Sequence, residues 1–245
     1  MMKQKEMSII RLILMTIIPS AISTALYIGV GMYMRNMPAL DLFFVVAILT
    51  LFLFEMWVIL SANKKEFGKY GLQIAFLNYE KMEWWKIILY GFVLFGFAGI
   101  ISATVAPLEN WLLKDLSDKL YSLLPVYFDW NNFELMKKYP NGMLIFTSVF
   151  YIMMNVLICP VIEEIYFRGY LTNKLKRYGI FAPIIVAIAF SFYHWWLPFN
   201  NVFRISIFCV AAVVAYKKKN IFISIVFHCL CNLFSSISFI IALLN

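Results

Sequence analysis

Charge is scarce in this chain. Only 14% of its 245 residues are Asp, Glu, Lys or Arg, while 63% are hydrophobic. That balance lies far outside soluble averages and excludes an ordinary water-exposed globular domain. The class that remains is an all-α, polytopic integral membrane bundle. Cysteine is limited to Cys159, Cys209, Cys229 and Cys231, all in apolar segments and without a CxxC pair, so neither a disulfide framework nor a thiolate zinc site is indicated. They read as small packing residues. The net charge of +8 does not point to nucleic acid, because Lys and Arg sit in short connections between apolar runs, where membrane orientation accounts for them. Internal repeats, low-complexity tracts and a soluble domain are also missing, so residues 1–245 read as one transmembrane domain.

What is present is a series of apolar runs long enough to cross a bilayer: Ser8 to Met34, Leu42 to Ser61, Ile87 to Val105, Met143 to Leu171, Ile180 to Leu197, Val202 to Tyr216 and Ile221 to Leu244. The expectation is about seven transmembrane helices, within a range of six to eight, and the sixth run is the shortest. Lys3 and Lys5 precede the first run, and Ser20 to Ala25 resembles a cleavage region. Hydrophobicity nevertheless continues to Met34, too long for a signal core, so a retained span is expected. Loop charges give the orientation. Alternate connections hold Lys3, Lys5, Arg11, Lys64, Lys65, Lys69, Lys81, Lys86, Lys174, Lys176, Arg177, Lys217, Lys218 and Lys219 on one side. The other side holds Arg35, Lys114, Lys119, Lys137, Lys138 and Arg204. The richer side should be cytoplasmic, which puts the N-terminus inside and the C-terminus outside. Between Lys64 and Lys86 an aromatic-rich connection suits the headgroup level, and Leu108, Leu112, Leu116 and Leu120 recur as in an amphipathic surface helix.

Histidine is scarcer than charge. His194 and His228 are the only two, and each lies in an apolar run, while a third run carries the adjacent carboxylates Glu163 and Glu164. Insertion scales put a charged side chain at the bilayer centre at roughly 2.5 to 3.5 kcal/mol, so several polar groups at that depth suggest a shared task. Glu164 and Arg168 are four apart and pair along one helical face. Glu163 is rotated by about 100° from its neighbour and is free to face a cavity. In an apolar setting an unpaired carboxylate is a better base than in water. Phe190 precedes His194 by one turn, and His228 precedes Asn232 by one turn. Estimated heights above the inner connections are roughly 18 Å for Glu163, 21 Å for His194 and 12 Å for His228, a spread that helix tilt absorbs.

Peptide hydrolysis needs an activated water, a stabilised carbonyl oxyanion and a proton donor for the leaving amine. Glu163 assisted by His194 suits the first, and His228 with Asn232 the second. The motifs EExxxR at Glu163 to Arg168, FxxxH at Phe190 to His194 and HxxxN at His228 to Asn232 resemble, in order and spacing, those of the CPBP family of CAAX proteases and bacteriocin-processing enzymes. The resemblance covers about residues 143–245 and leaves the first three spans without a recognised motif. It implies a multi-helix intramembrane endopeptidase acting on a peptide, propeptide or lipid-modified peptide at the bilayer, with Glu163 as base and His228 with Asn232 as the oxyanion site. Members are commonly labelled metalloproteases, and Glu163, His194 and His228 form the alternative zinc set. The metal-free version, with no cofactor, is favoured here, because the amide of Asn232 is a poor zinc ligand and neither histidine has an obvious supporting carboxylate in sequence.

Blander readings stand beside this one. A single histidine on an apolar helix usually bridges neighbouring helices, and Glu164 with Arg168 reads as a structural, orienting ion pair. Glu55 is assigned no role. Asn155 and Ser191 are as readily packing residues as cavity residues, and Trp195, Trp196 and Pro198 read as an interfacial belt and helix stop. Competing functions are a non-catalytic membrane peptide-binding or immunity protein and a proton-coupled transporter, although the broken half-repeats of the latter are not evident.

Overall fold

The computed structural model describes residues 6–244, all helices and connections with no strand among them. Lys3 and Lys5 lie outside the described residues. Helix α1 (Ile9–Gly31) opens on Ser8, whose hydroxyl accepts from the Arg11 amide at 3.2 Å and so caps the first turn. Helix α2 (Ala39–Phe67) widens into a π-helical turn at Ile48–Phe52 and ends at Gly68, whose φ of 74° is the left-handed stop that glycine tolerates. Helix α3 (Trp84–Leu112) is followed by the short α4 (Lys114–Tyr121). Then come α5 (Asn141–Lys174), α6 (Phe181–Tyr193), α7 (Asn201–Lys217) and α8 (Phe222–Leu244).

Each of the seven expected apolar runs is thus a helix. Five of them, α1, α2, α3, α5 and α8, are long and apolar enough to cross a membrane. Helix α6 has 13 residues, about 20 Å at 1.5 Å per residue, and falls short of a hydrocarbon core about 30 Å thick. The expected run to Leu197 leaves the helix at Tyr193. Pro198 disfavours helical geometry at the residue before it, and Asn200 takes a φ of 62° immediately ahead of α7. Helix α7 spans 17 residues.

The connections gather at two ends in the alternation expected from the charges. At the basic end the Met7 amide donates to the Lys174 carbonyl at 3.0 Å, Asn78 to Asn173 at 2.7 Å, and the Glu80 amide to the Lys219 carbonyl at 2.8 Å. At the opposite end the Tyr127 and Tyr139 hydroxyls both donate to the Met37 carbonyl, and Glu109 accepts the Val202 and Phe203 amides at 3.0 and 2.9 Å.

The 64–86 connection only partly matches its expectation. Tyr70, Trp84 and Trp85 are exposed as interfacial residues would be, but Ile74 and Ala75 are fully buried. A single 3₁₀ turn, Gln73–Ala75, folds back beneath the helices and is held there by Asn63, which accepts the Ile74 amide at 2.9 Å. Gly169 of α5 rests on this plug so closely that an added Cβ would lie 2.9 Å from the Ala75 Cβ and 3.0 Å from its carbonyl oxygen. Of the four surface-helix leucines, Leu108 and Leu112 belong to the end of α3, while Leu116 and Leu120 lie on α4.

Candidate active site

Helix α5 bends its regular geometry around the two carboxylates. Pro160 has no amide hydrogen, and its ring crowds the carbonyl four residues earlier, so the helix widens into a π turn at Ile152–Ile158. A short α-helical stretch, Cys159–Glu164, follows, and a second π turn occupies Ile165–Leu171. Glu163 and Glu164 therefore sit between two wide turns, and both are buried, at 4% and 0% exposure.

Glu164 is the better anchored of the two. Its Oε1 lies 3.1 Å from Arg168 Nη1 and accepts from His228 Nδ1 at 3.0 Å. The i, i+4 pair is as the spacing predicts, but the link to His228 crosses to α8 and had no signal in sequence, since the partners are 64 residues apart. It also corrects an expectation: His228 does have a supporting carboxylate. The Arg168 guanidinium lies over the Phe190 ring at 4.3 Å and the Phe208 ring at 5.0 Å, so the cation is neutralised on one side and shielded by aromatic faces on the other.

Glu163 faces the other imidazole nitrogen. Its Oε2 is 3.8 Å from His228 Nε2, so one ring bridges the adjacent carboxylates, Nδ1 to Glu164 and Nε2 towards Glu163. With Nδ1–H committed to Glu164, Nε2 is the nitrogen left for chemistry. His194 lies one residue beyond the end of α6, and its Nδ1 donates to the Phe190 carbonyl at 2.8 Å, which likewise leaves Nε2 free. Phe190 is the hub of the arrangement: it meets His194 and His228 edge-on, with centroids 4.7 and 5.7 Å apart, while carrying Arg168 on its face. The first position of FxxxH thus explains itself as packing that sets two imidazoles at once.

Asn232 lies one turn beyond His228 and donates from Nδ2 to the Asn155 carbonyl at 2.7 Å. Asn155 in turn donates to Ser236 at 3.0 Å. Glu163, His194, His228 and Asn232 all line one cavity of ≈ 1130 Å³, together with Asn155 and Arg204. That size is above the usual range for small-molecule pockets and leaves room for a peptide segment. Its remaining wall is largely aromatic and includes Trp196, which packs on His194 at 5.0 Å. Trp196 is therefore part of the site, whereas Trp195 stays exposed as an interfacial residue would. Ser191 turns away to Asn201. Glu55, for which no role was expected, accepts from the Tyr193 hydroxyl at 2.7 Å.

Among the described residues no three His, Cys, Asp or Glu side chains are disposed to hold a metal ion, Glu163, His194 and His228 included.

These features can be set against known proteins. No curated protein and no solved structure matches the chain. Residues 145–234 match the family model of the type II CAAX prenyl endopeptidases, Rce1-like, a stretch that contains all three motifs and is consistent with the CPBP/CAAX protease family. That family suggests an intramembrane CAAX-type endopeptidase, a peptide hydrolase housed in apolar helices.

Proposed function

We propose that this Rce1-like chain hydrolyses a peptide bond within the bilayer by a glutamate-activated water, without a metal. Glu163 takes a proton from a water in the cavity, and His194 Nε2 accepts a second hydrogen bond that orients the same water. The resulting hydroxide attacks the substrate carbonyl. With both ring nitrogens protonated and Nδ1–H held by Glu164, His228 donates Nε2–H to the developing oxyanion, and the second N–H of Asn232 donates beside it. Glu163 then passes its proton to the leaving amine. Glu164 and Arg168 orient His228 and touch no reacting atom.

One observation supports this assignment above the others. The two neighbouring carboxylates flank opposite edges of one imidazole, Glu164 hydrogen-bonded to it and Glu163 3.8 Å away, and of the two only Glu163 lines the cavity. Substrates are peptides or propeptides, including lipid-modified ones, whose apolar portion lies against the aromatic wall; a bacteriocin precursor is one such substrate. The basic end of the bundle faces the cytoplasm, by the excess of Lys and Arg in its connections.

The test compares membrane and secreted peptides from cells carrying wild type or Glu163→Gln. An unprocessed precursor should accumulate only with the variant. Full processing by Glu163→Gln would remove the assignment and favour a non-catalytic peptide-binding or immunity protein. Cleavage by purified protein should persist after a strong chelator, and loss that zinc restores would overturn the metal-free mechanism.

A further inference from the structure

His194 is not on a regular helix. It occupies the first position of the seven-residue connection 194–200 between α6 and α7, and its local anchors are its Nδ1 on the Phe190 carbonyl and its amide on the Ser191 carbonyl. The backbone on either side of it is held from α7. Arg204 reaches back across the connection, donating from Nη1 to the Ser191 carbonyl at 3.0 Å and to Asn201 Oδ1 at 3.3 Å. From Nη2 it donates to the Leu197 and Phe199 carbonyls, each at 3.3 Å. The Ser191 carbonyl is the same one that accepts the His194 amide, at 3.3 Å. Asn201 adds a donation to the Pro198 carbonyl at 2.6 Å, and Glu109 of α3 holds the first turn of α7 through the Val202 and Phe203 amides. A planar guanidinium can gather four acceptors in this way because its donors fan out in a fixed fork, which a lysine ammonium cannot reproduce.

From this we infer that Arg204, which lies outside all three motifs, is a positioning residue for His194. It ties both ends of the 194–200 connection to α7 and thereby sets where the imidazole sits on the cavity wall. The inference rests on the catalytic reading of His194 given above, yet it predicts a physical change that can be read without any activity.

The experiment uses the whole protein, purified in detergent without a polyhistidine tag and labelled with ¹⁵N-histidine. The chain has only two imidazoles, and His194→Ala assigns them. In Arg204→Lys the His194 signals should shift or broaden while those of His228 stay in place, and thermal unfolding should remain cooperative. Turnover should fall by about ten- to a hundredfold through kcat, the scale of a misplacement of about 1 Å, with KM within about threefold. In a His194→Ala background the same substitution should cost little more, because two residues acting through one group are not additive. Unmoved His194 signals in Arg204→Lys, or an equal loss of turnover with and without His194, would overturn the proposal. Full activity in His194→Ala would instead remove the catalytic reading of that histidine and leave the spectroscopic result to stand or fall alone.

Discussion

The two halves of the bundle handle buried polar groups in opposite ways. In the motif-bearing half, Glu163, Glu164, Arg168, His228 and Phe190 form one connected cluster, each member touching at least one other. In the N-terminal half three side-chain pairs act as isolated ties: Thr50 to Ser23 at 2.9 Å, Asp41 to Thr147 at 2.7 Å, and Glu55 to Tyr193 at 2.7 Å. A connected cluster holds charge in place inside an apolar bundle, where an isolated charge would cost several kcal/mol. A tie only fixes one helix against the next. The first arrangement suits chemistry, and the second suits holding the chemistry still.

Substitutions should therefore fall into two groups, and the adjacent carboxylates give the sharpest contrast. Glu163→Gln should lower turnover by about 10² to 10⁴-fold, the usual contribution of a general base, while leaving thermal stability unchanged or slightly raised. Glu164→Ala removes the partner of a buried cation and should cost about 3 to 5 kcal/mol of stability, read as a lowered unfolding temperature in detergent. If both variants lost stability equally and activity equally, the separation into base and anchor would be wrong.

Asn232→Ala should come next. Loss of one oxyanion donor typically costs about a hundredfold in kcat, with KM little changed. Because Asn232 also donates to the Asn155 carbonyl, Asn155→Ala, which keeps that carbonyl, serves as the control and should retain most turnover. Smaller still is the effect of Gly169→Ala, where the new methyl meets Ala75 of the plug. Overpacking of this kind costs about 1 to 3 kcal/mol, and unfolding temperature should fall without a matching drop in kcat for the protein that remains folded.

How far the sequence foretold these regions differs in the same way. The carboxylates, histidines and Asn232 were legible because they recur at helical spacing within apolar runs, so each motif is a local fact of four or five residues. The pairing of Glu164 with Arg168 was readable for the same reason. The link from Glu164 to His228 was not: its partners sit 64 residues apart, and a carboxylate that already has an i+4 cation gives no hint of a second partner. Glu55 and Tyr193 are 138 residues apart, and Asn173 with Ala75 98 apart, so both the tie and the plug were invisible. Helix α6 ended four residues early because hydrophobicity reports burial, whereas the break before Pro198 is a matter of backbone geometry.

The tie between the halves carries the last and smallest prediction. Tyr193 is fully buried, stacks near Phe190 at 6.1 Å and immediately precedes His194, so Glu55 touches the motif-bearing half through one hydroxyl. Tyr193→Phe keeps the ring and removes only that donor. Interhelical hydrogen bonds in membranes average about 0.6 kcal/mol with a maximum of about 1.7, and the variant should lose an amount in that range. If Glu55 serves only to fasten α2 to α6, Glu55→Gln, whose amide oxygen still accepts from Tyr193, should keep wild-type stability and leave kcat near wild type. A fall in kcat with Glu55→Gln, stability being kept, would mean that this carboxyl takes part in the proton traffic around Glu163. The contrast between a chemical half and a fastening half would then have to be redrawn through the middle of α2.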